Sequence, residues 1–399
     1  MSLTARLTHR LLVAPRPGVL VFAMLFFVEA MARASLATVI PLQSYELLKE
    51  PRYVSYLGFG LGGLGLLAGM LVPLLIRGIS RRWTYTLGAL LLIAAAGFLA
   101  QQTVAGQITG MAVRNLGALC LNISLVLYIM DYVRRHEFVR NDSTRMTFSM
   151  VAWTVSPYLG VWLYEHVGPD ATYAWSAGWA CLLIGLFWYL RMSEGGVIVP
   201  ARKPPENPFH FVPRFISQPR LMLAWSIAFG RSAFWSTLFV YGPILMKKTG
   251  QGADAAGLLI SASQVLLGTA LLWGRFAGWA GLRTSIPLSF LGMFVCMILA
   301  GAMGEQAPLL AAGVLVLASF FCTGLDAVGG VPYYRAVRAR ERAPMTAVYR
   351  TYLEFGDLVP NLVYGILLLW LPLSSVFVAD GIACLAFAWV CWRYLPKGM

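Results

Sequence analysis

The chain has 399 residues, of which 59% are hydrophobic and 12% charged. An ordinary soluble domain is roughly half apolar and about a quarter charged, so this composition excludes one, along with disordered, collagenous and disulfide-scaffold classes. The net charge of +14 would suggest a nucleic-acid partner in a soluble protein; here the basic residues fall between apolar runs and report membrane topology instead.

A helix needs about 20 mainly apolar residues to cross a bilayer. Twelve stretches qualify, roughly 18–40, 54–76, 84–101, 108–132, 146–165, 172–191, 221–245, 255–274, 285–303, 308–332, 349–371 and 373–393. The expected fold is therefore an all-α polytopic membrane protein. The first stretch follows Arg6, Arg10 and Arg16 but is too long for a signal peptide and holds Glu29 and Arg33, so it is read as a retained first span. With the N-terminus placed in the cytoplasm, 23 Lys and Arg fall on the cytoplasmic side and 4 on the other (Lys49, Arg52, Lys247, Lys248). An odd number of spans would break this positive-inside pattern, and both termini are expected in the cytoplasm.

Between the sixth and seventh spans, Arg191 to Arg220 carries Pro200, Pro204, Pro205, Pro208, Pro213 and Pro219. This density opposes a continuous helix and predicts a cytoplasmic linker, 191–220, between an N-terminal bundle, 1–190, and a C-terminal bundle, 221–399, of six helices each. The halves echo each other: Glu29 stands twelve residues before Pro41, and Arg231 twelve residues before Pro243. Pro157 and Pro360 each follow a basic loop at similar distance. Such a duplicated bundle suits a transporter.

Ionisable residues inside a bilayer are costly and persist where they face a bundle interior or a watery cavity. They form a short series here. The first span has Glu29 and Arg33 at i,i+4, the fourth Arg114, the seventh Arg231 and the tenth Asp326. The eleventh has Arg350, Glu354 and Asp357 along one face, and the twelfth Asp380. Glu29 is the expected proton carrier, because a carboxylate beside a movable guanidinium can bind a proton in one state and release it in another. Arg350, Glu354 and Asp357 are read as a gate, with a surface ion-pair cluster as the competing reading. Trp235, one turn after Arg231, is a candidate for stacking on solute, as are Trp153, Trp225, Tyr128 and Phe234. Gly58/Gly62 and Gly65/Gly69, spaced by four, predict close helix approach in the second span.

The span count, the central linker and the basic loop Arg77-Gly78-Ile79-Ser80-Arg81-Arg82 resemble the major facilitator superfamily over nearly the whole chain. Gly69 and Arg81-Arg82 match the ends of that family's loop signature, whose aspartate is absent here, and Ala152 to Gly160 looks like its Pro–Gly motif in the fifth span. The resemblance implies two six-helix bundles whose spans 1, 4, 7 and 10 line a central cavity. It thereby brings Glu29, Arg33, Arg114, Arg231, Trp235 and Asp326 toward a substrate path.

The predicted function is secondary active transport of a small organic solute by alternating access, coupled to protons because no ATP-binding element occurs. The chain is not expected to be an enzyme or to need a cofactor or metal. Its partners are expected to be the solute, the proton and membrane lipid, not nucleic acid, with the protein monomeric in a plasma membrane, a bacterial inner membrane by its compact loops. Two alternatives stand beside this. Met146/Met150 and Met293/Met297 have the spacing of a Cu(I)-binding pair, so copper or another metal is one possible cargo. The missing loop aspartates also fit an assembly or sensor protein that no longer transports.

Overall fold

The structure, a computed structural model, describes residues 19–132, 138–190, 211–337 and 342–396. The basic N-terminus and the linker up to residue 210 lie outside the described residues. All the described regular structure is helical.

In the N-terminal half the first span is made of α1 (Val19–Ala34) and α2 (Val39–Leu48), separated by four residues of turn. Then come α3 (Pro51–Ala100), α4 (Val104–Tyr132), α5 (Phe138–His166) and α6 (Pro169–Tyr189). Helix α3 covers two spans and breaks at Ser80, whose backbone is left-handed (φ 70°). The short basic loop therefore contracts to a turn at one residue. Prolines at the first positions of α3 and α6 start those helices where their missing N–H has no partner to lose.

After the short α7 (Val212–Ile216), the C-terminal half contains α8 (Pro219–Lys248) and α9 (Gly252–Val265). A 3₁₀ turn, Leu266–Thr269, connects α9 to α10 (Ala270–Ala280). There follow α11 (Leu282–Met303), α12 (Pro308–Val328), α13 (Val331–Ala336), α14 (Arg342–Tyr349), α15 (Tyr352–Leu367) and α16 (Ser375–Tyr394).

Eight helical stretches among the described residues are long and apolar enough to cross a membrane. The four expected spans outside that group, 54–76, 146–165, 221–245 and 349–371, also form helices, and they sit along the junction of the two halves. The first part of α3 packs on α15, α5 on α9, and α2 on α8. These faces meet protein rather than lipid, so glycine, hydroxyls and charge replace aliphatic side chains and dilute their hydropathy.

Glycine makes that contact close. A Cβ on Gly62 would stand 3.0 Å from the Leu358 backbone, and one on Gly58 would stand 2.7 Å from the Asn361 side chain. Gly65 faces Asn115 and Glu354. Of the glycines expected to allow close approach, Gly69 meets nothing within 4 Å among the described residues, so of the predicted Gly65/Gly69 pair only Gly65 makes a close contact there.

The eleventh span, expected over 349–371, is helical over Tyr352–Leu367, with a short helix, α14, just before it. A turn at Arg350 and Thr351 separates α14 from α15, with the Thr351 N–H bonding back to the Val348 carbonyl. The helical register that would carry Arg350 onto Glu354 is interrupted. No ion pair joins them among the described residues, and Arg350 instead donates to Asn122 Oδ1 of α4 at 3.2 Å.

Candidate functional site

Two charged clusters face the interior, one from each half. In the N-terminal half, Arg33 Nη1 donates to Glu29 Oε1 at 3.1 Å, as the i,i+4 spacing predicts. Glu29 is sealed at 1% exposure while Arg33 retains 27%, so the pair straddles a boundary between packed protein and accessible space. Immediately after Arg33 the helix stops. The Ala37 N–H bonds to the Ala34 carbonyl rather than to that of Arg33. The freed Arg33 carbonyl accepts from Arg114 Nη2 at 2.9 Å. A guanidinium from α4 thus satisfies a backbone group that a continuous helix would have satisfied itself.

The break is built in by neighbouring helices. The Ala32 carbonyl accepts from the Ser176 hydroxyl at 2.7 Å and from Ser35 at 3.1 Å. Gly160 of α5 lies so close that a Cβ there would stand 1.8 Å from the Ser35 carbonyl oxygen. The Pro157–Gly160 stretch therefore has a concrete local role: its glycine lets α5 touch the interrupted first span. Beyond the break, Gln107 Nε2 donates to the Ile40 carbonyl at 3.1 Å, and Gln43 Nε2 to the Leu99 carbonyl at 2.9 Å.

In the C-terminal half, Arg231 Nη1 donates to Asp326 Oδ1 at 2.5 Å, and Trp235 Nε1 to Asp326 Oδ2 at 3.1 Å. Arg231 Nη2 donates to the Tyr352 hydroxyl at 3.0 Å, drawing α15 to α8 and α12. Arg231 and Asp326 keep 21% and 16% exposure. The one-turn spacing of Arg231 and Trp235 delivers both donors to one carboxylate, each oxygen receiving one of them.

Glu354 and Asp357 lie on α15, with Glu354 near Gly65 and Asn115 across the junction and Asp357 exposed. Trp225 donates to the Thr351 hydroxyl at 3.1 Å and stacks on Phe229. Trp153 meets Phe239 edge-on across the two halves, with ring centres 5.4 Å apart. Tyr128 is instead buried in the hydrophobic core of the N-terminal half, and Phe234 in a core that both halves share. Met293 and Met297 are fully buried in packing, with Met297 against Gly381 of α16. Among the described residues no group of three His, Cys, Asp or Glu could hold a metal ion. A recess of about 400 Å³ lined by Ile79, Trp83, Thr86, Leu87 and Leu90 is apolar and contains none of the charged residues.

Sequence reading missed a group of contacts at the end of the bundle opposite the termini. Lys247 Nζ of α8 pairs with Glu46 Oε1 of α2 at 2.6 Å and lies 3.9 Å from Glu165 Oε1 of α5. The hydrogen bond it donates to Glu46 is the main reason the Lys247 ammonium is held above the ordinary lysine range. His166 Nε2 lies 3.9 Å from Asp254 Oδ2, and the Tyr56 hydroxyl donates to the Gly365 carbonyl at 3.2 Å. All four contacts join one half to the other. The available signal was the isolation of Lys247 and Lys248 on the sparsely basic side, which was counted for topology alone.

The fold matches several solved transporters at low identity. A nucleoside transporter, NupG, superposes with a TM-score of 0.73 at 12% identity, over 94% of this chain and 99% of its own. A POT family transporter in complex with 5-aminolevulinic acid gives 0.77 at 13%, over 96% and 98%. A D-xylose–proton symporter gives 0.71 at 14%, over 96% and 98%. No curated protein matches the chain. The sequence model of the Major Facilitator Superfamily matches residues 22–332, which is most of the chain, and two bundles of helices meet around charged spans. The protein therefore belongs to the major facilitator superfamily, a family of multi-span membrane transporters.

Proposed function

We propose that the protein is a proton-coupled secondary transporter of a small organic solute with an anionic or amphipathic character, working by alternating access. The halves 1–190 and 221–399 rock about the linker 191–220, in a bacterial inner membrane, as a monomer with both termini in the cytoplasm. The observation that carries this reading is the Glu29–Arg33 pair, a sealed carboxylate hydrogen-bonded to a partly accessible guanidinium beside a helix break. A solute anion drawn to Arg33 and Arg114 competes with Glu29 for Arg33. A carboxylate that loses its cation in a dry site takes up a proton, which links solute binding to proton binding.

The C-terminal cluster supplies the opposite wall. Trp235 and Tyr352 offer flat faces beside Arg231, suited to an apolar or aromatic part of the solute. Arg350, Glu354 and Asp357 gate the terminal end, where Arg350 already reaches Asn122 across the junction. The similar structures named for nucleoside transport, for a bound 5-aminolevulinic acid and for D-xylose–proton symport support a small polar cargo and, in one case, proton coupling.

The test is uptake into proteoliposomes from pooled metabolites under an imposed pH gradient. The expected result is accumulation that collapses with the gradient, whereas Glu29→Gln keeps counterflow exchange and loses gradient-driven accumulation. If Glu29→Gln accumulates solute as wild type does, Glu29 is not the proton carrier.

A further inference from the structure

Glu29 is not the only carboxylate sealed inside the bundle. Asp380, sixth residue of α16, is 3% exposed. Its Oδ2 has no hydrogen-bond partner among the described residues, and its Oδ1 lies 3.3 Å from the Tyr364 hydroxyl of α15. That hydroxyl lies 2.9 Å from Thr237 Oγ1 of α8, which lies 2.9 Å from the Ala233 carbonyl oxygen.

Counting hydrogens along this row bears on the state of the carboxyl. It contains three contacts: Asp380 to Tyr364, Tyr364 to Thr237, and Thr237 to Ala233. Each needs one hydrogen between its two oxygens. Tyr364 and Thr237 supply one each, and a backbone carbonyl supplies none. All three bonds form together only when the third hydrogen is on the carboxyl of Asp380. The row then runs in one direction, from Asp380 to Tyr364 to Thr237 to the Ala233 oxygen.

The surroundings agree. The titratable groups close enough to interact with Asp380 are Tyr364 of α15, Cys384 of its own helix and Cys322 of α12. Helix α11 presents Met297 and Ile298 to the adjacent Gly381; its one charged residue, Arg283, lies at the far end and donates to the Trp392 carbonyl. On α8 the charged residue within the span, Arg231, is bonded to Asp326. The positive end of α16 acts mainly within its first turn, and Asp380 lies beyond it. A buried carboxylate with no cation is stable in neutral form.

We propose that Asp380 is a second proton-binding site of this transporter, protonated in the state seen here and donating to Tyr364. On release, the proton leaves Oδ1 for water and the bonding electron pair stays on the carboxylate. Tyr364 then turns its hydrogen to Oδ1 and Thr237 turns its own to Tyr364. The Ala233 carbonyl loses a hydroxyl donor. The row lies beside the junction: the ring of Tyr364 meets that of Tyr241 edge-on, with centres 5.2 Å apart, and the Tyr241 hydroxyl lies 2.6 Å from Ser55 Oγ of the other half. The row therefore stands one aromatic ring away from a contact between the two halves. The site gains transport meaning from the function proposed above, but its proton does not depend on it.

Infrared spectroscopy of the purified protein separates the two. Wild type minus Asp380→Asn at neutral pH is expected to show the C=O stretch of one protonated carboxyl, disappearing on alkaline titration. Tyr364→Phe, which keeps the ring, is expected to shift that band by removing its hydrogen-bond acceptor. A neutral-pH difference spectrum with carboxylate bands only, or a protonated-carboxyl band indifferent to Tyr364→Phe, overturns the proposal. If Asp380→Asn does not fold, the Tyr364→Phe shift read on protein carrying ¹³C-labelled aspartate decides it. Absence of uptake in proteoliposomes, with the band present, removes the transport reading and leaves the proton site standing.

Discussion

The two interior clusters reach different electrostatic arrangements. In the C-terminal half each Asp326 oxygen receives a donor and Arg231 has a further acceptor in Tyr352. One positive and one negative charge cancel. In the N-terminal half two guanidiniums, Arg33 and Arg114, accompany Glu29, and Arg114 is bonded to a backbone carbonyl, with no carboxylate in ion-pair range among the described residues. One cluster is a closed clamp and the other carries surplus positive charge beside a helix break. Under the function proposed above, the N-terminal half is the side that receives the anion and the C-terminal half the side that stays rigid.

The comparison is broken most severely at Asp326. Asp326→Ala leaves Arg231 without its counter-charge inside the bundle, with an expected loss of about 3–5 kcal/mol. Thermal unfolding followed by size-exclusion chromatography should show it. Replacing both residues by leucine should recover most of the loss, because the cost belongs to the orphaned charge. Next is Gly160→Ala, which drives a methyl into the Ser35 carbonyl. Overpacking of this kind costs about 1–3 kcal/mol, and the same assay measures it.

Arg114→Gln sharpens the contrast. It removes the surplus charge and weakens the bond to the Arg33 carbonyl, with an expected cost of about 1–3 kcal/mol. Selectivity for anionic over neutral solutes in a binding screen should fall further than stability does. The smallest effect is expected for Lys247→Ala at the opposite end. A pair this exposed contributes at most about 1 kcal/mol. Its readout is conformational: faster thiol labelling of a cysteine placed beside the intact pair, at Leu47, in the variant. The pH sense follows from the raised ammonium. The bridge is fully present below the ordinary lysine range and is lost as pH rises through the elevated one, so alkaline conditions should mimic the substitution.

Much of the architecture was legible because a bilayer imposes strong rules on composition. Apolar runs of the right length marked the spans, and lysine and arginine grouped on one set of loops. The interior charges were equally visible, since any Glu or Arg inside an apolar run stands out. Their partners were less legible. The i,i+4 rule found Arg33 for Glu29, and one-turn spacing joined Trp235 to Arg231, because both are local. Arg114 bonding to the Arg33 carbonyl depends on a helix break that residues 35–38 do not announce, since Ser35, Leu36, Ala37 and Thr38 have no glycine or proline among them. The turn at Arg350 likewise comes with a tertiary contact, to Asn122, that the sequence does not announce. The Asp380 row joins the consecutive helices α15 and α16 to α8, whose Thr237 lies 127 residues before Tyr364, and no periodicity reports that.

The gap between α1 and α2 has a mechanical consequence. A rigid rod spanning the membrane must tilt as one piece, so movement at one face appears at the other with opposite sign. A first span jointed at residues 35–38 behaves as two levers with a common pivot. The far lever, fastened to α3 and α4 by Gln43 and Gln107, stays with the N-terminal half when Lys247 parts from Glu46, and it tilts there without dragging the near lever that seats Glu29.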